Sequence, residues 1–137
     1  MRLAKRSIQK EKIIRTQVRN YLNTIGVFNW VQWQGPFSEK GVADICGILP
    51  NGIGLYIETK RPKEGKFYIE QIHFLNASRD RNCFVMVAES VDVVTEALPF
   101  DFIQSLKKQP FPFEWPRPDL LWKIGRASCR ERVCQYV

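Results

Sequence analysis

The chain has 137 residues, a hydrophobic fraction of 45% and an aromatic fraction of 12%, the composition of one folded domain and not of a disordered protein. No run approaches the roughly eighteen apolar residues of a membrane span, and the basic N-terminus leads into no apolar signal segment, so a soluble, cytoplasmic protein without a membrane partner is expected. The formal net charge of +7 favours a polyanionic partner, nucleic acid before an acidic membrane surface. A single histidine, His73, and four cysteines without a CxxC pair argue against a Cys/His zinc site and against chemistry that needs a histidine pair.

From Ser7 to Ile25 the apolar residues Ile8, Ile13, Ile14, Val18, Tyr21, Leu22 and Ile25 fall at helical spacing, and Gly26 supplies a stop. The remaining faces carry Lys5, Arg6, Lys10, Lys12, Arg15 and Arg19. These are either a solvated helix face or a phosphate-facing one. Glu11, the one acid among them, can pair with Arg15 one turn on or be aimed at a metal. Val27–Gln34 alternates apolar and polar side chains and is rich in aromatics, which predicts a strand. Within it Trp30 and Trp33 serve packing, or stack on a base if exposed. After a loop over Gly35–Lys40, strands are expected at Val42–Leu49 and Ile53–Thr59, joined as an antiparallel hairpin by Pro50-Asn51-Gly52.

The polar stretch after Lys60, broken by Pro62 and Gly65, reads as a loop, and Tyr68–Arg79 as a helix. Cys83–Ala88 is a continuous apolar run of strand length, expected to be buried on both faces; Cys46 and Cys83 are expected to be small buried hydrophobes inside strands. Ser90 is placed to cap a helix through Leu98, and Phe100–Lys108 reads as a further short helix. The order helix, three strands, helix, strand, helix predicts an α/β fold. Its last strand, reached through a helical crossover, makes part of a mixed sheet parallel.

Pro110–Pro118 reads as an extended surface segment. Residues 124–137, beginning IGRASCRERV, look like one translated frame of a sequencing-adapter oligonucleotide and are expected to be read-through, not native chain. Without them three arginines and one glutamate are lost, and the charge falls from +7 to +5. The expected organisation is a single domain over residues 1–123, with a core of about 7–98 and a Pro-rich extension over 99–123.

The unusual feature lies in the hairpin. Asp44 precedes Glu58-Thr59-Lys60 by thirteen intervening residues, and all sit among apolar strand residues. A hairpin turning at Asn51 sets Asp44 opposite Glu58 or its immediate neighbour. On a shared face their side chains start about 5 Å apart. Glu58 and Lys60, two apart on a strand, share a face. Two carboxylates so close need a neutralising charge. Either Lys60 provides it in an ion-pair cluster, or a divalent cation does, which would activate water and polarise a phosphate.

GVADICGILPNG, followed by LYIETKRP and IEQIHFL, resembles the PD-(D/E)xK nuclease superfamily, and most of all its small virus-type replication-repair nuclease (VRR-NUC) branch. The likeness runs from about Glu11 to Leu98. It implies a restriction-endonuclease-like fold with an αβββαβ core. By the same resemblance Asp44 and Glu58 are metal ligands together with the Thr59 backbone carbonyl, and Lys60 is the catalytic lysine. Gln71 is then a site residue, and Glu11 a first-helix acid near the metal. Ala43 stands where the family often has Pro.

The expected function is therefore Mg²⁺-dependent hydrolysis of DNA phosphodiesters, with Mn²⁺ as a substitute, by an endonuclease of phage or mobile-element replication, repair or recombination. Lys10, Lys12, Arg15, Lys40, Arg61, Lys63 and Lys66 would contact backbone phosphates. A homodimer is compatible with cutting both strands. The alternative is a nucleic-acid-binding protein that keeps the fold without catalysis.

Overall fold

A computed structural model describes residues 2–63 and 65–106, with side chains of the first helix from Lys10 onward. The elements are α1 (Arg2–Thr24), β1 (Phe28–Val31), β2 (Ile45–Ile48), β3 (Gly54–Thr59), α2 (Ile69–Asp80), β4 (Phe84–Ala88), α3 (Val91–Ala97) and α4 (Phe100–Leu106). The Pro-rich segment, residues 107–108 of the last predicted helix and the suspected read-through lie outside the described residues.

Helix α1 ends where Gly26 adopts φ +80°. The N–H of Val27 returns to the Leu22 carbonyl and that of Gly26 to Asn23, which satisfies two carbonyls the helix end would leave open. Its apolar stripe, Ile14, Val18 and Leu22, is buried against Ile45, Leu55 and Ile57 of the sheet, with α3 and α4 contributing Val94, Leu98 and Ile103. Tyr21 donates its hydroxyl to the Leu98 carbonyl at 2.7 Å. On the sheet edge Arg19 Nε donates to Asn29 Oδ1 at 3.0 Å, so this base joins α1 to β1.

The sheet has the order β1-β2-β3-β4, antiparallel for the first two pairings and parallel for the third. The hairpin turn is closed by Gly52 N–H to the Leu49 carbonyl, with Gly52 at φ +88°. The α/β class, the mixed sheet and the element order match the sequence expectation. Three local expectations are corrected. Strands β1 and β2 are shorter than their apolar runs, because the chain leaves the ladder at Gln32 and at Asp44. Strand β4 is half-buried except for Ala88, since it pairs only with β3 among the described residues and α2 covers it incompletely. Cys46 is buried inside β2, but Cys83 is half-buried and precedes β4.

Ser90 stands at the N-cap of α3 in extended conformation, but its hydroxyl makes no capping hydrogen bond. Gly41 is required where it stands. Its φ is +85°, and a Cβ there would meet the Glu70 carbonyl oxygen at 2.3 Å. The loop before Asp44 thus lies directly on the first turn of α2. Gly41→Ala should cost roughly 1–3 kcal/mol from the backbone conformation alone, and more from the contact. A fall of several degrees or more in Tm by circular dichroism is the expected result.

Candidate active site

The β2–β3 register pairs Ile45 with Ile57, and one further step sets Asp44 opposite Glu58. Asp44 does not continue the strand. Its Oδ2 accepts the Thr59 backbone N–H at 3.0 Å and the Thr59 hydroxyl at 2.8 Å, where a longer β2 would have offered a carbonyl. The carboxylate therefore ends one strand and marks the site on the next.

Glu58, Thr59 and Lys60 are all buried, Glu58 to 2% and Lys60 to 6% exposure. Alternation along β3 puts the side chains of Glu58 and Lys60 together, with Lys60 Nζ 3.5 Å from Glu58 Oε1. The ammonium also donates to Gln71 Oε1 at 3.1 Å and lies 5.1 Å from the centre of the Phe67 ring. Gln71 is the bridge. Its Nε2 donates to Glu58 Oε1 at 2.8 Å, and its Oε1 also accepts the Tyr68 N–H at 3.0 Å. As the third residue of α2, it reaches back to an unsatisfied N–H of the helix start, as capping glutamines do. One amide thus satisfies the helix, the lysine and the carboxylate together.

The electrostatics are unbalanced. Burial, and then the neighbouring Asp44 carboxylate, push the Glu58 carboxyl from its ordinary 4.5 up to about 7, against the opposing pull of the Lys60 ammonium. Glu58 Oε2 is buried without a hydrogen-bond partner among the described residues. Such an acceptor is costly in a finished core. Among the described residues no three His, Cys, Asp or Glu side chains gather as a metal-binding set, so an ion here would draw on two carboxylates and other oxygens. One is available by strand geometry. The Lys60 N–H goes to the Ala88 carbonyl on the β4 side and the Thr59 N–H to Asp44 on the β2 side. In extended chain a residue's C=O points to the same edge as its N–H, so the Thr59 carbonyl faces the Asp44 edge. Two carboxylates, one of them with an unpartnered oxygen, and one carbonyl suit a hard cation that keeps waters for its other positions.

No protein-family model matches the sequence, and no curated protein matches it. Among solved structures, a chain described as a VRR_NUC domain superposes with a TM-score of 0.55 and 24% sequence identity, covering 65% of this chain and 97% of that one. The chain has the fold of a VRR_NUC domain. The restriction-endonuclease-like architecture implied by the sequence resemblance is therefore the observed one.

The remaining predicted residues fall around this centre with different weight. Glu11, expected near the metal, does not gather with Asp44 and Glu58 as a third acid; its carboxylate lies 3.8 Å from Arg61 Nε and not with Arg15 one turn away. The partner comes from the residue after Lys60, which no local spacing could reveal. Lys40, Lys63 and Lys66 are exposed on the loops before Asp44 and after Lys60, while Lys10 and Lys12 are exposed and Arg15 half-exposed along α1. A groove of about 450 Å³, with Gln34, Ser38, Lys40, Tyr68 and Gln71 in its lining, opens beside the network. Sequence reasoning missed Gln32. Its N–H donates to the Asp44 carbonyl at 3.1 Å, which sets it in the same row across the sheet as Asp44 and Glu58. Period-two alternation from Trp30 was the signal that could have found it.

Proposed function

We propose that the protein is a divalent-metal-dependent nuclease acting on DNA, with Asp44, Glu58 and Lys60 at its centre. The observation that carries this reading is the buried Glu58 carboxylate, held by Lys60 and Gln71 on one oxygen and unpartnered on the other, beside Asp44. Such a carboxylate is expensive unless a cation completes it. Asp44, Glu58 and the Thr59 carbonyl would hold Mg²⁺, or Mn²⁺ in its place. Bound there, the ion would polarise a phosphate oxygen and lower the pKa of a water.

The chain's own residues supply the rest. Lys60, seated among Glu58, Gln71 and the Phe67 face, can hold the attacking water by its ammonium or stabilise charge growing on the phosphate. Gln71 keeps that ammonium and the Glu58 carboxylate in a fixed relation, so neither has to reorganise as the reaction proceeds. Exposed Lys40, Lys63 and Lys66, with Lys10, Lys12 and Arg15 on α1, are suited to backbone phosphates. Such contacts position the duplex but carry no sequence information, and binding through them weakens steeply with salt. The fold similarity to a VRR_NUC domain supports the nuclease class. A phage or mobile-element role in repair or recombination belongs to the same proposal, as does the choice of endonucleolytic over exonucleolytic cutting.

The test is cleavage of a panel of linear, flapped and four-way DNA. Product should form with Mg²⁺ or Mn²⁺, stop with EDTA, and return when the ion is restored. A protein that binds this panel but cuts none of it with either ion would be a non-catalytic DNA-binding protein on the nuclease fold.

A further inference from the structure

The face of the sheet that carries Glu58 is only half covered. Alternation and register put Phe28, Trp30 and Gln32 of the β1 run on this face, next to Ile48 and Cys46 of β2 and Tyr56 of β3. Asn29, between Phe28 and Trp30, turns the other way to meet Arg19 of α1. Helix α2 covers the β3–β4 half, where Phe74 meets Tyr56 edge-on with ring centroids 5.0 Å apart. On the β1–β2 half Cys46 is buried, but the side chains around it stay open. Phe28 is 68% exposed, Trp30 38% and Ile48 43%. The Phe28 and Trp30 rings lie 5.5 Å apart and are tilted by 55°, so they do not stack on each other.

We propose that this open half-face binds unpaired bases of the strand that the active site cuts, with Trp30 and Phe28 as successive stacking platforms. The inference rests on the nuclease reading above and adds the class of substrate, DNA with unpaired nucleotides beside the scissile phosphate. Three observations carry it. The aromatic rows are continuous with the candidate centre, because Trp30 lies one row from Gln32, Asp44 and Glu58. The two ring centroids are 5.5 Å apart, wider than the roughly 3.4 Å rise of stacked duplex bases, so they suit the splayed bases of an extended single strand. The chain is basic, +7 overall and +5 without residues 124–137, which suits a polyanion better than an apolar partner. Base stacking on exposed aromatics tolerates any sequence, in keeping with phosphate contacts that read none.

The experiment measures binding in EDTA, so no cleavage is required. A labelled short oligothymidine and a blunt duplex of equal length are titrated at low salt and followed by anisotropy. Trp30→Ala should weaken oligothymidine binding by on the order of tenfold and lower the ratio of single-strand to duplex affinity accordingly. Trp30→Phe should recover most of the loss, and Phe28→Ala, at the more exposed position, gives a second reading independent of Trp30 packing. Unchanged oligothymidine binding in both alanine variants overturns the proposal, and so does an equal loss on single strand and duplex. Sedimentation showing a wild-type dimer that Trp30→Ala converts to monomer would assign the face to a second copy of the chain and overturn it too. A protein with Trp30-dependent single-strand binding that never cuts DNA upholds the stacking face and refutes the nuclease reading. Metal-dependent cutting without Trp30-dependent binding does the reverse.

Discussion

Lys60→Ala should lower the Mg²⁺-dependent cleavage rate by roughly 10²–10³-fold, the usual loss when one preorganised electrostatic group is removed from a site, while the protein stays folded. The size follows from the setting. The ammonium is nearly excluded from water and held at a fixed place by Gln71 and Glu58, so its field acts at low dielectric and needs no reorganisation. Water entering the vacated space cannot supply a positive charge. The expected stability loss is smaller than the 3–5 kcal/mol usual for breaking a buried pair. Glu58 already titrates near 7 and can take up a proton, and Gln71 still donates to it. Single-turnover cleavage and thermal melting of the same preparation separate the two effects. A rate within a few-fold of wild type would remove Lys60 from the chemistry.

The second large effect concerns pH and metal together. Glu58 has a folded pKa of about 7 against an ordinary 4.5, so the folded protein binds its proton more tightly than the unfolded chain does. Stability from this group is fully present below about pH 4.5 and is lost as pH rises through 7. The whole span is of order 3 kcal/mol, of which about 1.4 kcal/mol, one pKa unit, falls between pH 6 and pH 8, or roughly 5 °C in Tm for a domain of this size. Metal-free protein should therefore melt lower at pH 8 than at pH 6, and Glu58→Gln should remove most of that slope. Added Mg²⁺ should raise the wild-type Tm more at pH 8 than at pH 6, since the ion binds the ionised carboxylate, and should do little for Glu58→Gln. A wild-type Tm indifferent to Mg²⁺ at both pH values would count against a cation at Glu58.

The hairpin was legible because its side chains obey a period of two and its turn is short. Asn51-Gly52 leaves little freedom of register, and the observed pairing of Ile45 with Ile57 follows from it. That places Asp44 against Glu58 before any tertiary contact is known. Helix α1 was legible for a related reason, since its buried stripe repeats every turn and Gly26 marks the end. What depends on distant partners was less legible. Apolar composition cannot tell a central strand from a half-covered one, hence the misjudged burial of Cys83–Ala88. Glu11 meets Arg61 across fifty residues of chain, where helical spacing pointed to Arg15. Gln71 entered only through family resemblance, because its role depends on where α2 begins relative to β3. The open aromatic half-face shows in the sequence as Trp30 and Phe28, but only coverage by other elements decides whether such residues are core or surface.

Helix α2 has no buried residue of its own. Its attachment is half-buried packing on β4, Phe74 on Tyr56, the close approach at Gly41, and Gln71 between Glu58 and Lys60. An element with so little buried apolar surface sits at the low end of the local opening free energies within a fold. Opening α2 is therefore expected to cost less than opening the sheet or α1. Lifting would take Gln71 out of the centre and uncover the β3–β4 half of the sheet face beside the open aromatic half. The same amide that organises the charges is thus carried on the one described helix with no buried residue, so the order of the centre depends on how firmly that helix is seated.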